Sequence, residues 1–168
     1  IIIDDNSTDS TKKILKKTRY KVLYNSKNKG KGYCIKKGAK ICSGEIILIQ
    51  DADLEYNPKD YKSLILPILK NKAKVVYGSR LKKQNKKGSI FFFLGGILIT
   101  KITNLLYNSD LTDEATCYKV FHKNLKPILI NSKGNRFDWE PEVTSKILRK
   151  KIKIFEVTIS REITSLLV

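Results

Sequence analysis

Apolar runs at 1–3, 20–24, 45–50 and 74–77 alternate with stretches of helical character, which lie between the first three runs and again after Asp60. Strands separated by helices cannot join as tight hairpins, so they pair in parallel while the helices cover the sheet. The pattern predicts an α/β fold with a mostly parallel central sheet. At 168 residues there is room for one core of this kind and not two, so residues 1–168 read as a single domain. The chain opens directly into Ile1-Ile2-Ile3 and Asp4-Asp5, as a strand does midway through a fold. We accordingly expect a first βα unit of the same domain to lie outside this sequence.

Local signals fill in the order. Ser7-Thr8-Asp9-Ser10-Thr11 offers several N-caps to a helix carrying Ile14 and Leu15, and Gly44 stands where a C-cap would close a helix over 32–43. On that second helix Cys34, Gly38 and Cys42 share a face small enough to lie close against a sheet. Further on, a strand near 116–121, helices near 124–131 and 141–150, and a strand near 153–157 are predicted. The polar, lysine-rich loop 81–88 leads into an apolar decad at 90–99, too short to cross a bilayer. Extended to Tyr107, the segment gains Lys101, Thr103 and Asn104 and becomes a one-sided helix, suited equally to the core or to a membrane surface.

Lysine and arginine outnumber aspartate and glutamate by 34 to 16. That excess attracts polyanions, whether phosphorylated substrates, an anionic membrane surface or nucleic acid. The surplus is nearly all lysine amid abundant isoleucine and asparagine, a pattern that a genome-wide drift in composition also produces. With no basic-aromatic recognition motif, no nucleic-acid partner is expected. Cys34, Cys42 and Cys117 form no C-x-x-C pair and no ligand set with His122, which tells against structural zinc and for reduced, buried thiols.

Chemistry concentrates at strand ends. Asp51-Ala52-Asp53 follows the run 45–50 directly, where ligands gather in an open parallel sheet. Two carboxylates spaced i, i+2 on extended backbone project to one side. They can share a hard cation, Mg²⁺ or Mn²⁺, with Glu55 as a third oxygen donor. Taken alone, the triplet fits a surface turn that caps the next helix better than a metal site. Asp4-Asp5, however, would bring a second acidic pair to the same rim, and such crowding suits a cation and a nucleotide diphosphate. Gly30-Lys31-Gly32 stands before a helix, where amides and a lysine attract an anion or simply form a solvated loop. It matches neither the phosphate loop nor the dinucleotide fingerprint. Arg80 can grip a phosphate bidentately or be solvated, and Asp113 can orient a substrate, take its proton or cap a turn. Glu140 and Glu142 flank Pro141 and read as caps of a first helical turn, while Trp139 suits either the core or a site wall.

These residues lie in six ordered motifs: Asp4-Asp5-Asn6-Ser7-Thr8-Asp9; Asn28-Lys29-Gly30-Lys31-Gly32; Asp51-Ala52-Asp53-Leu54-Glu55-Tyr56-Asn57-Pro58; Gly78-Ser79-Arg80; Thr112-Asp113-Glu114-Ala115-Thr116-Cys117-Tyr118-Lys119; and Phe137-Asp138-Trp139-Glu140-Pro141-Glu142. In that order the chain resembles family 2 glycosyltransferases, and among them the dolichyl- or polyprenyl-phosphate sugar transferases. The resemblance implies the GT-A fold, with helices on both faces of the sheet, and an inverting transfer from a UDP- or GDP-sugar to a polyprenyl phosphate. It implies that Asp51 and Asp53 hold the metal at the donor diphosphate and that Asp4, Asp5, Lys31 and Asp51 bind the nucleotide sugar. Arg80 would then meet the acceptor phosphate, and Asp113 would lie at the reacting centre. A cytoplasmic protein, peripheral at a membrane surface, is the matching location. The family's first strand, with its proline, tyrosine, asparagine and glutamate, is absent, and 158–168 departs from its tyrosine- and arginine-containing continuation. Two other activities use similar parts: transfer to a saccharide or protein hydroxyl, and synthesis of a nucleotide sugar from a sugar phosphate.

Overall fold

A computed structural model describes the backbone of residues 1–53, 56–80 and 90–160, and their side chains except those of 90–93. Glu55, the loop 81–88 and most of 158–168 lie outside the described residues. The elements follow the predicted order: β1 (Ile2–Asp4), α1 (Thr11–Leu15), β2 (Val22–Tyr24), α2 (Lys31–Ile41), β3 (Ile46–Leu48), α3 (Tyr61–Leu69), β4 (Val75–Ser79), α4 (Ile90–Tyr107), β5 (Lys119–His122), α5 (Lys126–Ile130), α6 (Trp139–Arg149) and β6 (Ile154–Thr158).

β1 and β2 pair in parallel, and the other four strands form a sheet ordered β3-β5-β4-β6. β4 and β6 are parallel, but β5 runs antiparallel to both β3 and β4. One reversed strand therefore sits inside an otherwise co-directional set. Periodicity along a single strand carries no sign of direction, which is why this insertion was not legible in advance.

Helices cover both faces of the sheet. On β4 and β5, Tyr77 and Lys119 are register partners on one face, where the Tyr77 hydroxyl meets Thr144 of α6 at 2.9 Å. Tyr118 turns the other way, toward Tyr61 of α3, with ring centroids 5.8 Å apart. The core between these layers is built from Leu64, Val75, Val76, Val120, Phe121, Leu129, Val143 and Ile147, all buried. Trp139 belongs to this core at 1% exposure, and its indole N–H points to the Leu129 carbonyl.

The cysteines are free, but only Cys117 is buried. Cys34 and Cys42 are half-buried because α2 rests on the two-stranded β1–β2 pair, where Ile3 would lie 3.7 Å from a Cβ on Gly38. Burial pushes the Cys34 thiol up to about 11, and the neighbouring Asp5 charge adds to the shift, so this thiol stays protonated and unreactive at neutral pH.

Glu142 fixes the turn before α6. Its carboxylate accepts from the amides of Lys133 (2.8 Å) and Gly134 (2.7 Å) and pairs with Lys146 at 2.6 Å. Partial burial opposes the charge, but these donors outweigh it and hold the carboxyl at about 2, below its ordinary 4.5. A lowered folded-state pKa contributes stability that is present above the unfolded value and is lost as pH falls from 4.5 toward 2. Glu142→Gln is therefore expected to be less stable than wild type at neutral pH and to converge with it at the acid end. Urea midpoints measured across that range check this, and parallel curves for the two proteins would refute it.

Candidate active site

The end of β3 is held from two sides. Gln50 accepts at its side-chain oxygen from the hydroxyls of Tyr61 (3.0 Å) and Tyr118 (2.7 Å), which ties the strand exit to α3 and to the start of β5. Asp51 comes next. Its amide meets Cys117 Sγ at 3.2 Å, and its Oδ2 lies 2.6 Å from Nζ of Lys31, the first residue of α2. The same ammonium lies 2.7 Å from Glu140 Oε1 at the start of α6, and Glu140 Oε2 is 3.8 Å from the buried Lys119 Nζ. Asp51, Lys31, Glu140 and Lys119 thus alternate in sign. Burial works against the charge on Lys31, but Glu140 foremost, with Asp51, outweighs it and holds the ammonium protonated above the ordinary lysine range.

Gly30 and Gly32 make this convergence possible. The segment leading into α6 lies on the α2 N-terminus, where the Asn135 carbonyl accepts from the Tyr33 amide at 2.9 Å and so satisfies one of the helix's unpaired donors. Gly30 has φ +93, and a Cβ there would stand 2.5 Å from that carbonyl. A Cβ on Gly32 would stand 2.6 Å from Trp139 Cβ. The glycines therefore let α6 close on α2 and bring Glu140 to Lys31. Gly32→Ala is expected to cost about 1–3 kcal/mol through overpacking against Trp139. A variant that melts like wild type would refute the packing role.

The acidic pair after β1 meets the same loop from its other side. Asp5 accepts from Asn25 Nδ2 (2.7 Å) and from the amides of Lys29 (2.9 Å) and Gly30 (2.7 Å). Burial resists its charge, yet these bonds prevail and hold its carboxyl below the usual range. Asp4 is buried and accepts from the Ser7 amide at 3.3 Å. Asp5 thus clamps the backbone at 29–30 while Asp51 takes the side chain at 31, so the two strand ends share one rim.

Arg80 follows β4 immediately. Its Nε and Nη2 reach the two Asp113 oxygens at 2.8 and 2.9 Å, its amide donates to Asp113 at 3.0 Å, and Nη2 also reaches the Ala115 carbonyl at 3.0 Å. Glu156 of β6 anchors the same loop, accepting from the amides of Thr112 (2.9 Å) and Asp113 (3.1 Å). Tyr56 and Cys117 join this cluster to the first. The Cys117 amide donates to Tyr56 Oη at 3.0 Å, and Arg80 Cζ lies 6.0 Å from the centre of the Tyr56 ring.

The donor chemistry fits a divalent cation shared with a substrate. Asp51 and Asp53 supply carboxylates two residues apart, and Mg²⁺ or Mn²⁺ commonly takes its remaining ligands from phosphates and water. Among the described residues, which do not include Glu55, no group of three His, Cys, Asp or Glu side chains is placed to hold a metal. Asp53 is exposed on the turn after Asp51.

The roles of four residues of this arrangement escaped the sequence reading. Glu140 was expected to cap a helix, whereas it is paired with Lys31; Cys117 was read only as a buried thiol, and Tyr56 and Glu156 were not singled out. Glu140, Tyr56 and Cys117 do lie within the ordered motifs, which was the only signal available. Their partners are remote in sequence, and Glu156 carries no local signature.

Residues 1–126 match the family model described as glycosyl transferase family 2. The chain is 28% identical to a UDP-N-acetylglucosamine–dolichyl-phosphate N-acetylglucosaminyltransferase of Methanococcus voltae, covering 95% of this chain and 72% of that protein. It is 27% identical to a dolichyl-phosphate beta-glucosyltransferase of Trichomonas vaginalis, covering 95% of this chain and 53% of that protein. The fold matches glucosyl-3-phosphoglycerate synthase of Mycobacterium tuberculosis, solved with Mn²⁺, UDP-glucose and phosphoglyceric acid, with a TM-score of 0.71 at 14% identity. That match covers 98% of this chain and 60% of the solved one.

Proposed function

This chain belongs to glycosyl transferase family 2 and has the GT-A fold, and on that premise we propose that it moves a sugar from a nucleotide-diphospho-sugar to a polyprenyl or dolichyl phosphate. The observation that carries this reading is the joining of two charged clusters through Cys117 and Tyr56. One, at Asp51, Lys31 and Glu140, suits a diphosphate with its cation; the other, at Arg80 and Asp113, suits a second phosphate.

The transfer inverts the anomeric carbon. An acceptor phosphate oxygen forms the new bond to that carbon as its bond to the donor diphosphate breaks on the opposite face, and the electron pair leaves with the nucleotide. A phosphate monoester is already largely ionised at neutral pH, its second pKa being about 6, so no strong general base is required. Asp113 orients the Arg80 guanidinium, and Arg80 holds the acceptor phosphate in line. Lys31 stabilises charge on the departing diphosphate, with Glu140 keeping the ammonium at its post. Asp4 and Asp5 shape the nucleotide-binding rim. Asp51 and Asp53, with Glu55 as a further donor, would hold Mg²⁺ or Mn²⁺, which supplies Lewis-acid stabilisation of the leaving phosphates. UDP- and GDP-sugars both suit the site chemistry. A position at a membrane surface follows from a lipid acceptor.

The test is a donor and acceptor screen on the full chain, with Asp53→Ala alongside. Transfer from one of the UDP- or GDP-sugars to polyprenyl phosphate is expected, with loss in the variant. Exclusive use of glycan or protein hydroxyls would reject the lipid acceptor, release of pyrophosphate would indicate nucleotide-sugar synthesis, and undiminished metal-dependent turnover in the variant would remove the metal assignment.

A further inference from the structure

α4 has two unlike faces. Leu94, Leu98, Ile102 and Leu105 recur along it at helical spacing and are 54%, 60%, 46% and 84% exposed, flanked by Ile99 and Leu106 at 40% and 68%. At about 100° per residue they occupy an arc of about 140°. The opposite face is engaged in the fold. Thr100 and Thr103 are buried there, Thr100 Oγ1 accepts from the Glu114 amide at 3.0 Å, and the Asn104 side chain bonds both the amide (3.0 Å) and the carbonyl (2.8 Å) of Leu111. The inner face of α4 thus grips, on either side of Asp113, the segment that carries it.

So broad a stripe of exposed leucine and isoleucine marks an interaction surface. Charge selects the partner. From Tyr61 through Ser109 the sequence contains no aspartate or glutamate and ten lysines and arginines, with Lys101 exposed beside the stripe and four lysines in 81–88 just before α4. A symmetric pairing of two copies through this face would set two acid-free, lysine-bearing regions against each other. An anionic lipid surface complements both the apolar stripe and the lysines. Among the described residues no helix is long and apolar enough to cross a membrane, so α4 would lie in the interfacial plane.

We infer that α4 is a membrane-docking helix whose outer stripe enters the headgroup region of an anionic bilayer while its inner face holds the Asp113 loop. This arrangement brings the acceptor end of the site to the lipid surface. The inference deepens the lipid-phosphate reading and rests on it for its purpose, but the docking step requires neither donor nor acceptor.

The experiment uses the full chain and two sets of vesicles, phosphatidylcholine alone and phosphatidylcholine with about one third phosphatidylglycerol, both free of polyprenyl phosphate. Co-sedimentation is expected with the anionic vesicles and should weaken as salt shortens the Debye length. Leu98→Asp and Leu105→Asp should each weaken partitioning by about tenfold; Leu105→Ser should act in the same direction, while the equally exposed Leu69→Asp on α3 should bind as wild type. Circular dichroism verifies that each variant is folded. Failure of wild type to bind anionic vesicles, or α4 variants that bind as it does, overturns the inference. So does a lipid-free dimer, seen by sedimentation velocity, that Leu105→Asp dissociates. Transfer in detergent separates the two readings: docking without transfer to polyprenyl phosphate sinks the proposed function, and transfer without docking sinks only the membrane role.

Discussion

Asp51→Asn is expected to lower sugar transfer by about 10²- to 10³-fold, the scale seen when one preorganised group facing developing charge is removed. The substitution keeps the shape of the side chain and removes its charge, so the loss tests electrostatics and not packing. Two effects act together. A neutral amide is a poorer donor to a hard divalent cation, and Lys31 loses the carboxylate 2.6 Å away, leaving its ammonium to the Glu140 oxygen at 2.7 Å. The measurement is steady-state transfer across a titration of Mg²⁺ and of Mn²⁺ at saturating donor, with Lys31→Met in parallel. Wild-type rates for Asp51→Asn over the whole titration would show that the strand-end carboxylate has no part in the chemistry.

Arg80→Ala carries the second large effect, on stability as well as activity. Asp113 is 3% exposed, and its two oxygens take the Arg80 guanidinium at 2.8 and 2.9 Å. Truncating the arginine leaves a buried anion with only part of its compensation, which costs about 3–5 kcal/mol when such a pair is broken. Urea unfolding should register the loss, and transfer to a phosphate acceptor should fall with it. Adding Asp113→Asn to Arg80→Ala removes the stranded charge, so the double variant should be more stable than the sum of the single changes predicts. Strict additivity would mean that the fork is not an energetically coupled pair.

Much of the fold was readable because its signals are local. The runs at 1–3 and 45–50 foretold β1 and β3, the small face of α2 foretold its close approach to Ile3, and Asp51 was placed at a rim by the strand immediately before it. The site was legible as a set of residue types at strand ends, but its wiring was not. Lys31 suggested an anion site from its place before a helix. That its ammonium is shared between Asp51 and Glu140 depends on α6 lying across the α2 N-terminus. Glu140 and Glu142 looked alike beside Pro141, yet only Glu142 anchors the turn while Glu140 faces the charged cluster.

α4 shows the same division. Its segment reads as a one-sided helix whose apolar face suits the core or a membrane surface equally, and the neighbours decided which side is exposed: Asn104 and Thr100 turn inward to the 111–114 loop and the leucine stripe is left outside. Strand and helix positions were determined by the sequence itself, because side-chain direction repeats every two or every 3.6 residues along the backbone, and that repeat is local geometry. Strand direction, the Lys31–Glu140 and Arg80–Asp113 pairs and the exposed side of α4 were decided only in the tertiary structure. Each joins groups distant along the chain, and which of them meet is set by how layers pack, here by two glycines that admit Trp139 and Asn135 against α2.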